Sequence, residues 1–144
     1  MILISHRGNI NGRVASMENT PEYIDNAIRL NYDVEIDIWY IDGKIYLGHD
    51  EPQYEINYDW LNNRLDKLWI HCKNVDSLCW IKNTNLHYFW HESDTVTLTS
   101  KNYIWAFPGK QPINDSISVM PEINNDDISK CIGICSDYVS KYNK

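Results

Sequence analysis

The sequence has no apolar run approaching the roughly 18 residues that a membrane-crossing helix needs, and a soluble protein is expected. It has no paired CxxC arrangement: Cys72, Cys79, Cys131 and Cys135 stand apart. A domain of this size does not need disulfides to fold, so four reduced and mostly buried thiols are the expectation. Positive charge is scarce, with 13 Lys and Arg against 20 Asp and Glu and a net charge of -7. That balance excludes sequence-independent nucleic-acid binding, which requires a field of Lys and Arg facing the phosphates. There is no internal repeat, low-complexity segment or linker, and 144 residues fit a single domain, 1–144. A strand-like segment begins at Ile2 and His6 follows at once, leaving no room for a charged leader, an apolar targeting stretch and a cleavage site. A cytoplasmic location is expected.

Chemistry is concentrated in the first third of the chain. His6-Arg7 and His49-Asp50 each end an apolar run, and between them lie Glu18-Asn19 and the pair Glu35 and Asp37. Ile2 to Ser5 predicts a buried strand and Asn9 to Met17 a loop. Thr20 to Leu30 predicts a helix, with Thr20 as cap and Pro21 at the first position. In Asn31 to Ile41, Val34, Ile36 and Ile38 alternate with Glu35, Asp37 and Trp39, and Asp42-Gly43 signals a tight turn into a strand from Ile45 to His49. A three-residue loop would set Glu35 across from His49, whereas a two-residue loop would put them on opposite faces.

Further on, Tyr58 to Leu65 and Val75 to Ile81 predict helices and Leu68 to Cys72 a strand. Leu86 to Trp90, Ile104 to Phe107, Ile117 to Met120 and Ile132 to Cys135 predict strands with only a helical turn, Asp126 to Lys130, among them. Eight strands alternating at first with helices predict a barrel of the (β/α)8 TIM type. Such barrels typically take ~250 residues, so the expectation is a trimmed or distorted one, with several helices missing in its second half.

Imidazole exchanges protons near neutral pH, and a pair of histidines, one base and one acid, suits cleavage of a phosphodiester. Glu35 and Asp37, two apart on a strand, point to one face and can share a divalent cation. Arg7, Lys73 and that cation would provide a local positive site for a small anionic substrate within an acidic surface. On the later strands His91 and Glu122 could line the same mouth, His91 toward substrate and Glu122 toward metal, while His87 is expected to be structural or exposed. Cys72 beside His71 invites a thiol-nucleophile reading, but strand neighbours face opposite sides and no oxyanion motif accompanies them. Aromatic residues crowd between 80 and 107, and strands without covering helices would leave aromatic faces bare, which raises a homodimer as a possible partner arrangement.

His6-Arg7, Glu18-Asn19-Thr20, Glu35-x-Asp37 and His49-Asp50, in this order and spacing, resemble the signature of glycerophosphodiester phosphodiesterases within the PLC-like phosphodiesterase superfamily. Ile41-Asp42-Gly43 and Cys135-Ser136-Asp137 also resemble segments of that family. The resemblance implies a distorted (β/α)8 barrel, Mg2+ or Ca2+ on Glu35 and Asp37, His6 and His49 as general base and acid, and Arg7 on the phosphate. It also implies that Glu18 and Asn19 support metal or ligand, and that a substrate hydroxyl attacks to give a cyclic phosphate. The family has Glu-x-Lys on its fourth strand, and here that piece is His71-Cys72-Lys73. Lys73 fits the phosphate-contacting lysine. His71 in place of an acid shifts the expected metal preference toward Mn2+ or Zn2+. The alternative to a hydrolase of small glycerophosphodiester-like substrates is a catalytically weak protein of the same fold that binds a phosphorylated ligand or a partner. A lyase that stops at the cyclic phosphate is a third reading.

Overall fold

Residues 33–41 form the longest strand of the protein, and the rest of the sheet is laid against it. In the computed structural model, which describes residues 1–144, the strands are β1 (Ile2–His6), β2 (Asp33–Ile41), β3 (Lys44–Leu47), β4 (Tyr54–Ile56), β5 (Leu68–Cys72), β6 (Tyr88–Phe89), β7 (Val96–Leu98), β8 (Ile104–Ala106), β9 (Ser116–Val119) and β10 (Gly133–Ser136). The helices are α1 (Pro21–Arg29), α2 (Tyr58–Asn62), α3 (Val75–Ile81) and α4 (Pro121–Asn124), and Val139–Tyr142 makes a 3-10 turn. Parallel ladders run in the order β6-β5-β2-β1-β10-β9-β8, while β3 with β4 and β7 are antiparallel additions to β2 and β8.

The expected (β/α)8 barrel of the TIM type is not formed. The sheet is a mixed one of ten strands curled into a half-barrel with four short helices. Three of the strands are antiparallel excursions outside a parallel wall, and no ladder joins β6 to β8. The connections after β6 also carry too little helix: the turn expected at 126–130 is irregular, and the only helix there, α4, has four residues. No helix is long and apolar enough to cross a membrane.

Alternation sorts the side chains of this sheet onto two faces. Val34, Ile36 and Ile38 of β2, with Leu68, Ile70 and Cys72 of β5, face outward and are covered by Ile24 and Ala27 of α1, Leu61 of α2 and Ile81 of α3. Each such aliphatic side chain, fully buried, stabilises the fold by about 1.5–3 kcal/mol. Helix α1 starts where expected, with the Thr20 side chain accepting from the Tyr23 amide and Pro21 at the first position. The concave face holds Ile4, Trp69, Phe89, Trp105, Ile117, Val119 and Cys135, one or two from each parallel strand except β2. Phe89 and Trp105 therefore turn inward, away from the bare outer face that suggested an interface. Interleaved with them on β8, β9 and β10 are small buried residues, Ala106, Ser116, Ser118 and Ser136.

The Asp42-Gly43 turn is a two-residue loop, since Ile41 pairs with Lys44 and Ile38 with Leu47. Both turn residues have positive φ, 50° and 78°, the conformation whose twist suits a tight hairpin. By register alone His49 would then point away from Glu35. It does not, because β3 stops at Leu47 and Gly48, at φ +151°, redirects the chain. A Cβ on Gly48 would lie 2.0 Å from the Glu51 carbonyl oxygen. Gly48→Ala is accordingly expected to lower unfolding free energy by about 1–3 kcal/mol, read from urea denaturation. An unchanged midpoint would show that the 48–53 turn yields freely.

Candidate active site

The C-terminal ends of β1, β2, β5 and β10 lie side by side, so the residues just at or past them converge. His6 ends β1, and Arg7 follows in a left-handed conformation at φ 56°. Asp137 follows β10, whose Ser136 pairs with Ser5. His6 Nδ1 lies 2.8 Å from Asp137 Oδ1. A carboxylate only accepts, so Nδ1 carries the proton and Nε2, 3.8 Å from Glu35 Oε2, is the ring's free nitrogen. Burial alone would lower the His6 pKa, but the bond to Asp137 and the charge of Glu35 outweigh it and raise it above the ordinary value. Asp137 is itself fixed by Asn9, whose Nδ2 donates to it at 2.8 Å and to Glu18 at 3.1 Å.

Glu35 and Asp37 point to the concave side of β2, opposite Trp69 and His71 of β5 in register. The two carboxylates divide. Burial and the neighbouring Asp37 push Glu35 up, whereas Asp37, although burial alone would raise it, is held well below the ordinary range by His49, His71 and Arg7. Asn19, at φ 61°, donates its Nδ2 to Asp37 Oδ2 at 2.9 Å and accepts from the Asp37 amide at 3.0 Å. Its amide is thus occupied in orienting Asp37 rather than turned toward a substrate.

Around Asp37 stand four basic groups. Arg7 Nε is 3.1 Å from Oδ2, His49 Nδ1 3.4 Å from Oδ2, His71 Nδ1 3.1 Å from Oδ1 and Lys73 Nζ 3.8 Å from Oδ1. Arg7 Nη2 also reaches His49 Nε2 at 3.2 Å, and since guanidinium only donates, that nitrogen accepts and the His49 proton sits on Nδ1. Glu18 lies on the far side of Arg7, accepting from its Nη1 at 3.1 Å and from Arg13 at 2.9 Å. It orients the arginine and belongs to no metal cluster. Glu122 accepts from Ser136 Oγ at 2.7 Å and Tyr142 Oη at 3.1 Å, so both its oxygens are taken by the fold.

Three groups suit a divalent cation. Ligand atoms of Glu35, Asp37 and His71 lie within 4.8 Å of one another. Glu35 Oε2 and Asp37 Oδ1 are buried with no hydrogen-bond donor, an arrangement that is unfavourable unless a charge answers it. His71 Nε2 donates to the His91 carbonyl at 2.8 Å, which leaves Nδ1, 3.8 Å from Glu35 Oε1, as the nitrogen that faces the carboxylates. Such an outer hydrogen bond fixes the tautomer of a metal-binding histidine.

Part of this set opens on one cavity of ≈ 360 Å³, lined by four of the five histidines, His6, His49, His71 and His91, with Arg7, Glu35, Lys73 and Glu92. His91 bonds Asp94 through Nδ1 at 2.9 Å. Cys72 faces the opposite side, buried, with burial pushing its thiol up to about 12, and all four cysteines are free, only Cys79 being exposed. The fifth histidine, His87, is buried against Trp69 and bonds Thr99 at 2.7 Å. Burial and Lys101 lower its pKa from 6.5 to about 4. A depressed histidine stabilises the fold fully above its unfolded value and loses that contribution as pH falls from about 6.5 to about 4. After discounting for solvent screening the loss is about 2 kcal/mol. Melting curves at pH 7 and pH 4 should therefore converge in His87→Gln relative to the parent; an equal acid loss in both would refute the assignment.

In the sequence Asp137 stood out only within Cys135-Ser136-Asp137, a segment of the resemblance with no role attached, and Asn9 not at all. Asp137 had a signal, an acid one step past an apolar strand, but its partner is 131 residues away. No family model, curated protein or solved structure matches the chain.

Proposed function

We propose that the protein hydrolyses small phosphodiesters, with His6 and His49 moving protons and Arg7 and Lys73 holding the phosphate. The observation that supports this best is the pair of imidazoles held by different neighbours on one cavity beside Arg7 and Lys73: Asp137 keeps the proton of His6 on Nδ1, and Arg7 and Asp37 orient His49. In this reading His6 Nε2 takes the proton of an attacking hydroxyl, the substrate's own where one neighbours the phosphorus. A phosphate entering the site draws Arg7 onto its oxygens and frees His49 Nε2, which takes a proton from solvent while Nδ1–H stays on Asp37 and then gives that proton to the leaving oxygen. Opening of a cyclic phosphate by water reverses the two roles and restores both rings. Glu35, Asp37 and His71 would hold a divalent ion, which supplies Lewis-acid stabilisation of charge on the phosphoryl oxygens. Carboxylates favour Mg2+ or Ca2+, and the imidazole shifts preference toward Mn2+ or Zn2+.

A second reading, binding of a phosphorylated ligand without turnover, is favoured by the four basic groups gathered on Asp37. One experiment separates the two: a panel of phosphodiesters, glycerol phosphodiesters first, with Mg2+, Ca2+, Mn2+ and Zn2+ in turn and His6→Ala as control, followed by phosphorus NMR. Turnover that His6→Ala removes supports the hydrolase. Binding without turnover under every metal supports the second reading, and a cyclic phosphate as end product would make the protein a lyase.

A further inference from the structure

The cavity that holds the candidate active site has two unlike walls. One is ionisable throughout, built from the ends of β1, β2 and β5 and the turn after β3. The other is apolar, Phe89, Trp105, Phe107, Pro108, Val119 and Met120 from β6, β8 and β9 and the residues just past them, with His91 and Glu92 at its edge where the chain leaves β6. Phe89, Trp105 and Val119 are rooted in the concave core, and the Phe89 and Trp105 rings lie 4.6 Å apart, so this wall is a fixed surface. Its rim is extended by Phe107, whose ring meets that of His91 at 3.8 Å. Met120 completes it from a backbone position that few side chains adopt, φ 48° and ψ 52°, with no side-chain cap to α4 behind it. Strained conformations of this kind persist where the surroundings over-determine them, and they gather at ligand sites. Arg7 and Asn19, also left-handed, stand on the charged side.

A glycerol or other polyol placed against Phe89, Trp105, Phe107 and Met120 would lose water and gain no hydrogen-bond partner from them. An alkyl or aryl group would gain the burial free energy of its apolar surface. Resting on the phosphodiesterase reading, we infer that the natural substrate is a phosphodiester with one apolar ester substituent, its phosphate on Arg7 and Lys73 and its apolar group on the wall formed by Phe89, Trp105, Phe107 and Met120. The shared chemistry is apolar; an aliphatic chain and a flat ring are its two sources.

The test is a series of glycerol phosphodiesters in which the second ester is methyl, butyl, hexyl or benzyl, with glycerophosphoglycerol as the polar reference. All leaving groups are alkoxides of similar basicity, so differences in kcat/KM report binding. Each methylene in contact with the wall is expected to raise kcat/KM about fourfold until the cavity is filled. Benzyl above hexyl would identify a ring and the reverse a chain. Met120→Gly removes the thioether while giving the backbone a residue at ease with positive φ, so the variant folds. It and Phe107→Ala should each lower the hexyl-to-glyceryl ratio about tenfold. Glycerophosphoglycerol turned over as well as the hexyl and benzyl esters, or a ratio unmoved in both variants, overturns the apolar subsite and leaves the hydrolase standing. No turnover of any ester under the four metals overturns both.

Discussion

Replacing His6 or His49 with alanine is expected to reduce phosphodiester turnover by about 10²–10⁴-fold each, the range for loss of a positioned general base or acid. The double variant should be little worse than either single one, because residues that act as a unit are not additive. Neither ring belongs to a buried apolar cluster, and a melting curve of each variant separates loss of fold from loss of chemistry, most of all for His6, whose removal leaves buried Asp137 without its imidazole partner. Asp137→Asn provides the finer test. It keeps the size of the side chain and removes the charge that raises the His6 pKa, a charge that acts against the lowering by burial. The pKa of His6 should then fall, so the acidic limb of the kcat/KM profile moves to lower pH while kcat drops through loss of the fixed tautomer. A residue that merely supported the fold would change melting temperature and leave the pH profile in place. Turnover preserved in His6→Ala and His49→Ala would remove the hydrolase reading altogether.

Much of this site was legible because its residues lie on elements with strong local signals. β2 alternates from Asp33 to Ile38, Asp42-Gly43 makes a two-residue turn, and α1 carries both its cap and its first-position proline. Alternation on β2 puts Glu35 and Asp37 on one face, whereas His71 came from the family resemblance and meets them through the β2–β5 pairing. What the sequence hid is of two kinds. β6 has two residues and β8 three, too few for a period to be read, and small buried serines on β9 and β10 mask the core face. Counting strands also says nothing about who pairs with whom: β3, which entered the count of eight as a barrel stave, pairs antiparallel to β2. The second kind is long range. Asp137 meets His6, and Tyr142 and Ser136 meet Glu122, only after the chain has folded. Glu18 illustrates the same limit, since its task of holding Arg7 and Arg13 follows from a loop whose path no periodicity describes.

The other large effect concerns the cation. Chelation by EDTA is expected to abolish turnover, and Asp37→Asn to prevent its recovery on adding back any of the four metals. Asp37 is completely buried, and its charge answers Arg7, His49, His71 and Lys73. Removing it leaves Arg7 and Lys73 without their carboxylate, which in buried pairs costs about 3–5 kcal/mol, so the variant should also melt earlier. His71 separates metal binding from this electrostatic damage. His71→Ala keeps both carboxylates and should weaken Zn2+ or Mn2+ binding by about 10²-fold or more, since loss of even an outer partner costs about 10- to 100-fold. His71→Glu replaces a borderline nitrogen with a hard oxygen and should move the preference toward Mg2+ or Ca2+. Binding should also weaken in acid: Glu35, raised by burial and by Asp37, holds its proton more readily than an ordinary carboxyl, and a cation must displace it. Calorimetric titration of each variant with Zn2+ and with Mg2+ at two pH values reads all three effects. If His71→Glu keeps the parental order of metals, the imidazole is no ligand. The contact of His71 Nδ1 with Asp37 Oδ1, 3.1 Å, would then be its whole role, a side chain that positions the carboxylate.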